Sequence, residues 1–299
     1  MELGVGLPTH DGPLASPEAI ARIAQEAEQL DYATLWTFER LLRPYAEIPG
    51  FGRVPEYYRT AYDPLETLSY VAALTSEIAL GTSVMNALMH PPVVLARRFA
   101  TLDRFSGGRV VAGLGQGWMP QEFETVNVPM SRQGAGMDEA VAAMRACWGP
   151  DPVAFEGRFH TIAPSEVNPK PVQAHIPVLM GSNTPGGIAR AARIADGLNP
   201  LAFTYESLVG LTEAFHAAAR AEGRHPGTLV VAARANVPIT LDPIGTDRPF
   251  LGGSPRQIAD DLARLEGTGV DQVLFSNAAA GDLDDEVKLL EQLRIEASR

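Results

Sequence analysis

The sequence predicts an α/β fold, a (β/α)8 barrel of the TIM type with an insertion before the fifth strand. Short apolar segments alternate with longer segments of helical periodicity, which is typical of βαβ units and a parallel sheet. Eight such strands can be counted, and eight parallel strands close a barrel that leaves no sheet edge unpaired. The length of 299 residues suits one such barrel. We therefore expect residues 1–299 to form a single domain, with an open doubly wound sheet as the alternative.

The strands are predicted where apolar and β-branched residues cluster, at residues 2–7, 33–37, 78–84, 109–114, 177–180, 196–201, 228–237 and 270–275. Helices are predicted where apolar residues recur with helical spacing, at residues 16–30, 64–76, 93–105, 132–147, 187–195, 206–222, 255–266 and 283–296. Two helices begin with a Ser-Pro pair, Ser16-Pro17 and Ser254-Pro255, which places a hydroxyl cap before a proline in the first turn.

Two irregular regions interrupt this alternation. Residues 151–176 have hairpin-like and proline-rich sequence and are predicted to be an insertion before the fifth strand. Residues 42–63 follow the second strand and contain several prolines, glycines and aromatic residues. Because the loops after the strands build the active site of such barrels, this segment is predicted to be a lid or pocket wall, or else a loop packed on its own side chains.

Charge and composition limit the class of partner. The net charge is −12, and no run of Lys or Arg suggests binding to nucleic acid or to an anionic membrane. A small-molecule substrate is therefore expected. One cysteine, Cys147, cannot form an intrachain disulfide, and no leader or long apolar run is evident, so we expect a cytoplasmic enzyme. The six histidines are scattered, and no metal site is expected.

Two glycine-containing turns follow predicted strands. The first turn, Gly181-Ser182-Asn183-Thr184, leads into a helix whose free amide groups would attract a phosphate. The second, at residues 113–118, departs from the dinucleotide-binding pattern because Trp118 stands where its third glycine should be. A Rossmann dehydrogenase is therefore disfavoured. The absence of a G-x-S-x-G motif likewise disfavours a hydrolase.

Two histidines follow barrel strands and are therefore expected at the catalytic mouth. His10 comes after the first strand, and His90 comes after the third. Each is a candidate for proton transfer, with hydrogen bonding within the loops as the alternative.

Over nearly its whole length the chain resembles the luciferase-like monooxygenase superfamily, and the coenzyme F420-dependent branch looks most similar. The matching segments are LWTFERLL at residues 35–42, IALGTSV at 78–84, TLDRFSGGR at 101–109, residues 113–123 and the block at 181–197.

The resemblance implies where a deazaflavin or flavin would bind. It implies a non-prolyl cis peptide at Ser83-Val84 beneath the cofactor ring, contacts from Gln116 and Gly117, and a phosphate site at residues 181–184. Many relatives have Asp-His after the second strand, where the His transfers a proton, but this chain has Glu39-Arg40. A permanently charged arginine is a poor proton shuttle, so Glu39 and Arg40, with His10, are candidate catalytic residues of undetermined role.

The expected function is hydride transfer between coenzyme F420 and a small organic substrate. Candidate walls of the substrate pocket are Trp36, Phe51, Tyr57, His90 and Trp118, with core packing as the alternative for the aromatic residues. The branch's sugar-phosphate dehydrogenases carry Glu at the position of Trp118, which disfavours sugar-phosphate oxidation.

Two other functions remain open: an FMN-dependent monooxygenase or reductase of the same fold, and a barrel that binds cofactor without turnover. By resemblance, we expect a homodimer, and a flavin or F420 reductase is a possible partner.

Overall fold

The computed structural model describes residues 1–298 and has a closed barrel of eight parallel strands at its centre. The barrel strands are β1 (Glu2–Gly6), β2 (Thr34–Thr37), β3 (Ala79–Thr82), β5 (Val110–Gly115), β8 (Val178–Met180), β9 (Gly197–Leu198), β10 (Val230–Val237) and β11 (Gln272–Asn277). Each pairs with its neighbours in this order; β3 pairs with β5, and β11 pairs with β1 to close the ring. A short strand, β4 (Met85–Asn86), extends the β3 edge against β5. The predicted barrel is confirmed, and the open sheet is wrong.

Helices follow the barrel strands and cover the outside of the barrel. They are α1 (Pro17–Gln29), α2 (Pro64–Ala72), α3 (Pro92–Ser106), α4 (Pro120–Thr125), α5 (Ala135–Trp148), α6 (Pro185–Ile194), α7 (Tyr205–Ala221), α8 (Pro255–Leu265) and α9 (Leu283–Ala297). Both predicted caps form: the Ser16 side chain accepts from the Ala19 amide, and Ser254 forms a capping box with Gln257.

Two predicted helix starts are displaced. Helix α5 begins at Ala135 rather than 132, because Gly134 has a φ of 82° and breaks the chain direction before the helix. Helix α6 begins two residues earlier than predicted, because Thr184 caps it and Pro185 occupies its first position.

The insertion before the fifth barrel strand contains an antiparallel hairpin. Its strands are β6 (Val153–Glu156) and β7 (Thr161–Ser165), which pair with each other outside the barrel. The Glu139 carboxylate on α5 accepts backbone N–H groups at the hairpin turn, from Arg158, Phe159 and His160, at 2.6–2.8 Å. The hairpin is thereby fixed to the outer helix layer.

The barrel interior is filled unequally. Trp36 is 2% exposed and packs with Leu179, Ala232 and Leu274. A Cβ on Gly4 would lie 2.6 Å from the Trp36 indole, and one on Gly81 would lie 2.4 Å from it. One large side chain on β2 therefore occupies space that glycines on β1 and β3 leave free.

Within residues 1–298, none of the helices is both long and apolar enough to cross a membrane. The same residues contain no cluster of three or more His, Cys, Asp or Glu side chains arranged to hold a metal ion.

Candidate active site at the barrel mouth

The loops that follow the barrel strands meet at one end of the barrel and form its mouth. The predicted wall segment after β2 reaches the loop after β1: the Asp11 amide donates to the Tyr57 carbonyl at 2.9 Å, and the Tyr62 amide donates to the Thr9 carbonyl at 2.8 Å. Ile48 and Val54 of this segment pack on Met119 in a small apolar cluster. The segment is therefore attached to the mouth by hydrogen bonds and by its own apolar residues.

Val84 forms a shelf at the mouth, between two glycines on neighbouring strands. A Cβ on Gly115 would lie 2.5 Å from Val84 Cγ2, and one on Gly181 would lie 2.8 Å from Val84 Cγ1. Val84 remains partly exposed, whereas Ser83 is buried. The Ser83–Val84 peptide bond is cis, as the resemblance implies. The Val84 side chain therefore fills the space that the two glycines leave, and its partly exposed face is an apolar surface on which a flat ring can rest.

The turn at residues 181–184 lies directly beside this shelf. Thr184 caps α6 by accepting from the Gly187 amide at 3.3 Å, and the Ser182 hydroxyl accepts from the Thr184 amide at 3.1 Å. The cap leaves the Gly186 amide unused in the first turn. The Asn183 side chain makes different contacts. Its Nδ2 donates to the Leu201 carbonyl at 2.9 Å, and its Oδ1 accepts from the Leu201 amide at 2.8 Å. Asn183 thus holds two loops together.

Gln116 and Gly117 join the strand β5 loop to the start of α5. The Gln116 side chain accepts from the Gly134 amide at 2.9 Å, and the Gln133 side chain donates to the Gly117 carbonyl at 2.7 Å. Gly117 has a φ of 74°, a conformation that favours glycine. These two residues set the shape of the loop beside the shelf.

Glu39 and His90 form an acid–imidazole pair next to Val84. His90 Nε2 lies 2.6 Å from Glu39 Oε1, and Glu39 Oε2 accepts from the Asn86 amide at 2.7 Å. The Glu39 amide donates to the Val84 carbonyl at 3.2 Å. A carboxylate and an imidazole therefore meet at the mouth, and the imidazole comes from the loop after the third barrel strand.

Arg40 is held away from that pair by a buried ion pair with Glu122 on α4. Arg40 Nη1 lies 3.0 Å from Glu122 Oε1, and the Leu41 amide donates to the same oxygen at 2.9 Å. The side chains are 9% and 0% exposed, respectively. The Arg40 guanidinium also lies over the rings of Tyr58 and Trp118, 5.0 and 5.5 Å from their centroids. Arg40 thus fixes the mouth loops to one another. Sequence reasoning assigned Glu122 no role.

Arg234 on β10 is a second site residue that sequence reasoning missed. It projects from a strand otherwise dominated by apolar residues, donates from Nη1 to the Ser83 carbonyl, and lies 5.0 Å from the Phe38 ring centroid. Ser83 also donates from its hydroxyl to Asn199 Oδ1 at 2.7 Å. A charged residue inside a buried strand was the signal available in the sequence, because such residues require a buried partner or a function.

A cavity of about 250 Å³ opens beside Arg234, between the ends of β1, β10 and β11. His10 and Tyr57 both line it, with ring centroids 5.4 Å apart. Burial lowers the pKa of His10, and burial together with the neighbouring Tyr58 raises the pKa of Tyr57 to about 12. At neutral pH both side chains are therefore uncharged.

The remaining predicted pocket residues take two positions. Phe51 and Trp118 pair at the rim with centroids 4.5 Å apart and are 54% and 40% exposed. Trp36, by contrast, lies within the barrel interior. This position agrees with core packing, the alternative given for the aromatic residues.

The model of the luciferase-like monooxygenase family matches residues 1–243. An uncharacterized protein of Mycobacterium tuberculosis is 36% identical over 285 residues, covering 92% of this chain and 91% of that protein. An F420-dependent glucose-6-phosphate dehydrogenase of Kineococcus radiotolerans is 29% identical over 225 residues, covering 72% of this chain and 64% of the relative. A monooxygenase structure from Streptomyces bottropensis superimposes with a TM-score of 0.82 at 22% identity, covering 99% of this chain and 98% of that one, and so shares the fold.

Proposed function

Because this chain belongs to the luciferase-like monooxygenase family, we propose that it is an F420-dependent oxidoreductase that transfers a hydride between the deazaflavin and a small organic substrate. The observation that carries the proposal is the Glu39–His90 pair beside the Val84 shelf. Hydride transfer to or from an organic substrate commonly needs a proton partner, and the pair supplies one next to the place where a flat ring fits.

The shelf and the turn at residues 181–184 suit such a cofactor. Val84 would lie under the ring, because Gly115 and Gly181 leave room for its side chain and the side chain is partly exposed. Ser182 and the first-turn amide of α6 would bind the phosphate, since a helix start attracts negative charge. When bound, the deazaflavin would supply the carbon that gives or accepts the hydride.

Glu39 and His90 would handle the proton. The short contact between Glu39 Oε1 and His90 Nε2 orients the imidazole and favours a proton on that nitrogen, which leaves Nδ1 to exchange a proton with the substrate. The Asn86 amide holds the other Glu39 oxygen, so the carboxylate cannot rotate freely. Arg40, engaged with Glu122, would have no direct part in this transfer.

The substrate differs from that named for the Kineococcus relative. Trp118 occupies the position where the resemblance expects a Glu in the sugar-phosphate dehydrogenases, and it pairs with Phe51 at the rim. We therefore propose a substrate less polar than a sugar phosphate.

An FMN-dependent monooxygenase is the second candidate, supported by the match of residues 1–243 to the luciferase-like monooxygenase family. The two functions differ in their reaction with oxygen, since reduced FMN reacts readily with oxygen and reduced deazaflavin reacts poorly.

Fluorescence titration of the purified protein with F420 and with FMN, at fixed ionic strength, tests the proposal. Saturable binding of F420 in preference to FMN, without oxygen consumption by the reduced complex, is the expected result. Preference for FMN with oxygen uptake would establish the second candidate instead. Tight F420 binding without turnover across a broad substrate panel would indicate a barrel that only binds cofactor.

A further inference from the structure

Arg234 connects the cavity to the chain beneath the shelf. Arg234 donates from Nη1 to the Ser83 carbonyl under the shelf and also lines the cavity. We propose that this cavity is the substrate site and that it takes a small molecule in which an apolar body carries a carboxylate. The inference rests on the proposed function for the identity of that molecule as a substrate.

One nitrogen of the Arg234 guanidinium group is available to donate a hydrogen bond to a ligand. Nη1 bonds the Ser83 carbonyl, and Nε donates to Asn236 Oδ1 at 2.8 Å. Nη2 has no partner within residues 1–298. Burial lowers the pKa of Arg234, and the charge of nearby Arg40 adds to this effect. A poorly solvated cation with a free N–H edge is stabilised by an anionic ligand.

The carboxyl groups around the cavity do not supply that anion. Asp11 accepts from Arg59 Nη2 at 2.6 Å, so its charge is already paired. Glu286 accepts from the Asn277 side chain at 2.7 Å, and burial raises the pKa of Glu286. His10 and Tyr57 also face the cavity, and both are uncharged at neutral pH, because burial lowers the pKa of His10 and raises that of Tyr57. Asp11 and Glu286 thus have partners of their own, whereas the Arg234 guanidinium group has no carboxylate partner in the cavity lining.

The rest of the cavity suits an apolar body. Phe38 and Tyr58 meet edge to face with centroids 5.7 Å apart, and Tyr57 lies 4.4 Å from Tyr58. Leu14 and Ile23 are buried and also line the cavity. With Arg234 on the side of the shelf, a carboxylate bound there would hold the adjacent carbons of the ligand close to the shelf.

Calorimetric titration with benzoate, phenylacetate and isobutyrate, each compared with its primary amide, tests the proposal. At least one acid should bind the wild-type protein about tenfold more tightly than its amide, as expected for a charge-assisted hydrogen bond. Arg234→Gln should abolish this preference while leaving the amide affinity unchanged. Arg53→Gln, which removes an exposed arginine of the same mouth, should keep the preference.

A second variant avoids dependence on the folding of Arg234→Gln. Asn236→Asp retains the oxygen that accepts from Arg234 Nε and adds a negative charge beside it, so it should also abolish the preference for acids. The proposal is wrong if no acid binds better than its amide, or if both variants keep the preference. It is also wrong if Arg234→Gln weakens F420 binding but not the preference for acids.

F420 affinity is measured separately on the same proteins. A wild-type protein that selects acids through Arg234 but binds no F420 would refute the proposed function and leave the cavity assignment intact.

Discussion

Removal of Glu122 should destabilise the protein strongly, because Arg40 would remain as an uncompensated charge beneath the mouth. The Glu122 carboxylate is fully buried and accepts from both Arg40 and the Leu41 amide. Hydrogen bonds to a charged group contribute about 1.5–3 kcal/mol each, and breaking a buried pair costs about 3–5 kcal/mol. We therefore expect Glu122→Ala to lower the free energy of unfolding by about 3–5 kcal/mol.

Urea denaturation monitored by circular dichroism measures this change, with two controls. Asp260→Ala breaks an exposed pair with Arg256 and should cost less than about 1 kcal/mol. The double variant Arg40→Met/Glu122→Leu removes both charges at similar volume and should be much more stable than Glu122→Ala. The reasoning fails if Glu122→Ala costs no more than Asp260→Ala, or if the double variant is as unstable as Glu122→Ala.

Three further outcomes concern the shelf, the proton route and a buried carboxyl. Gly115→Ala should weaken F420 binding about tenfold, because its Cβ would displace Val84. Gly210→Ala, which lies in open space on α7, should leave F420 binding unchanged. Fluorescence titration compares the two variants, and equal affinities would refute the role of Val84 in binding the ring. His90→Gln should lower turnover about 100-fold at unchanged F420 affinity, and steady-state kinetics showing normal turnover would remove His90 from the proton route. Folding raises the pKa of Glu286, so the folded state holds a proton at pH values where the unfolded chain has released it. The free energy of unfolding therefore falls as the pH rises above the ordinary pKa of a glutamate. In urea denaturation, Glu286→Gln should therefore gain stability relative to the wild type as the pH rises above about 4.3, the ordinary pKa of a glutamate, and a difference that stays constant with pH would contradict this.

Local patterns in the sequence predicted the fold well, because periodicity and caps act over a few residues. The weakest predictions were short elements set by tertiary contacts. The sixth barrel strand, predicted at residues 196–201, is only Gly197–Leu198, because its length depends on pairing between β8 and β10. Helix α4 was not predicted, because its six residues are too few for periodicity to identify.

The sequence predicted which residues belong to the site, but it did not predict their hydrogen-bond and ion-pair partners. Glu39 and Arg40 were identified from the sequence as candidates, but their partners lie 51 and 82 residues away in the chain, at His90 and Glu122. Nothing in the local sequence around either residue encodes such a pairing. Arg234 is different, since a single arginine in an otherwise buried strand was visible from the sequence alone.

The unequal filling of the barrel interior also bears on how this sequence can change over time. A smaller residue at position 36 would leave a void, and a larger residue in place of Gly4 or Gly81 would collide with the Trp36 indole. Single substitutions at these three positions are therefore deleterious in either direction, while a joint exchange of the large residue from β2 to β1 or β3 conserves volume. Mutational libraries that vary the three positions together should recover folded combinations that stepwise mutation cannot reach, so the three positions form one unit of substitution.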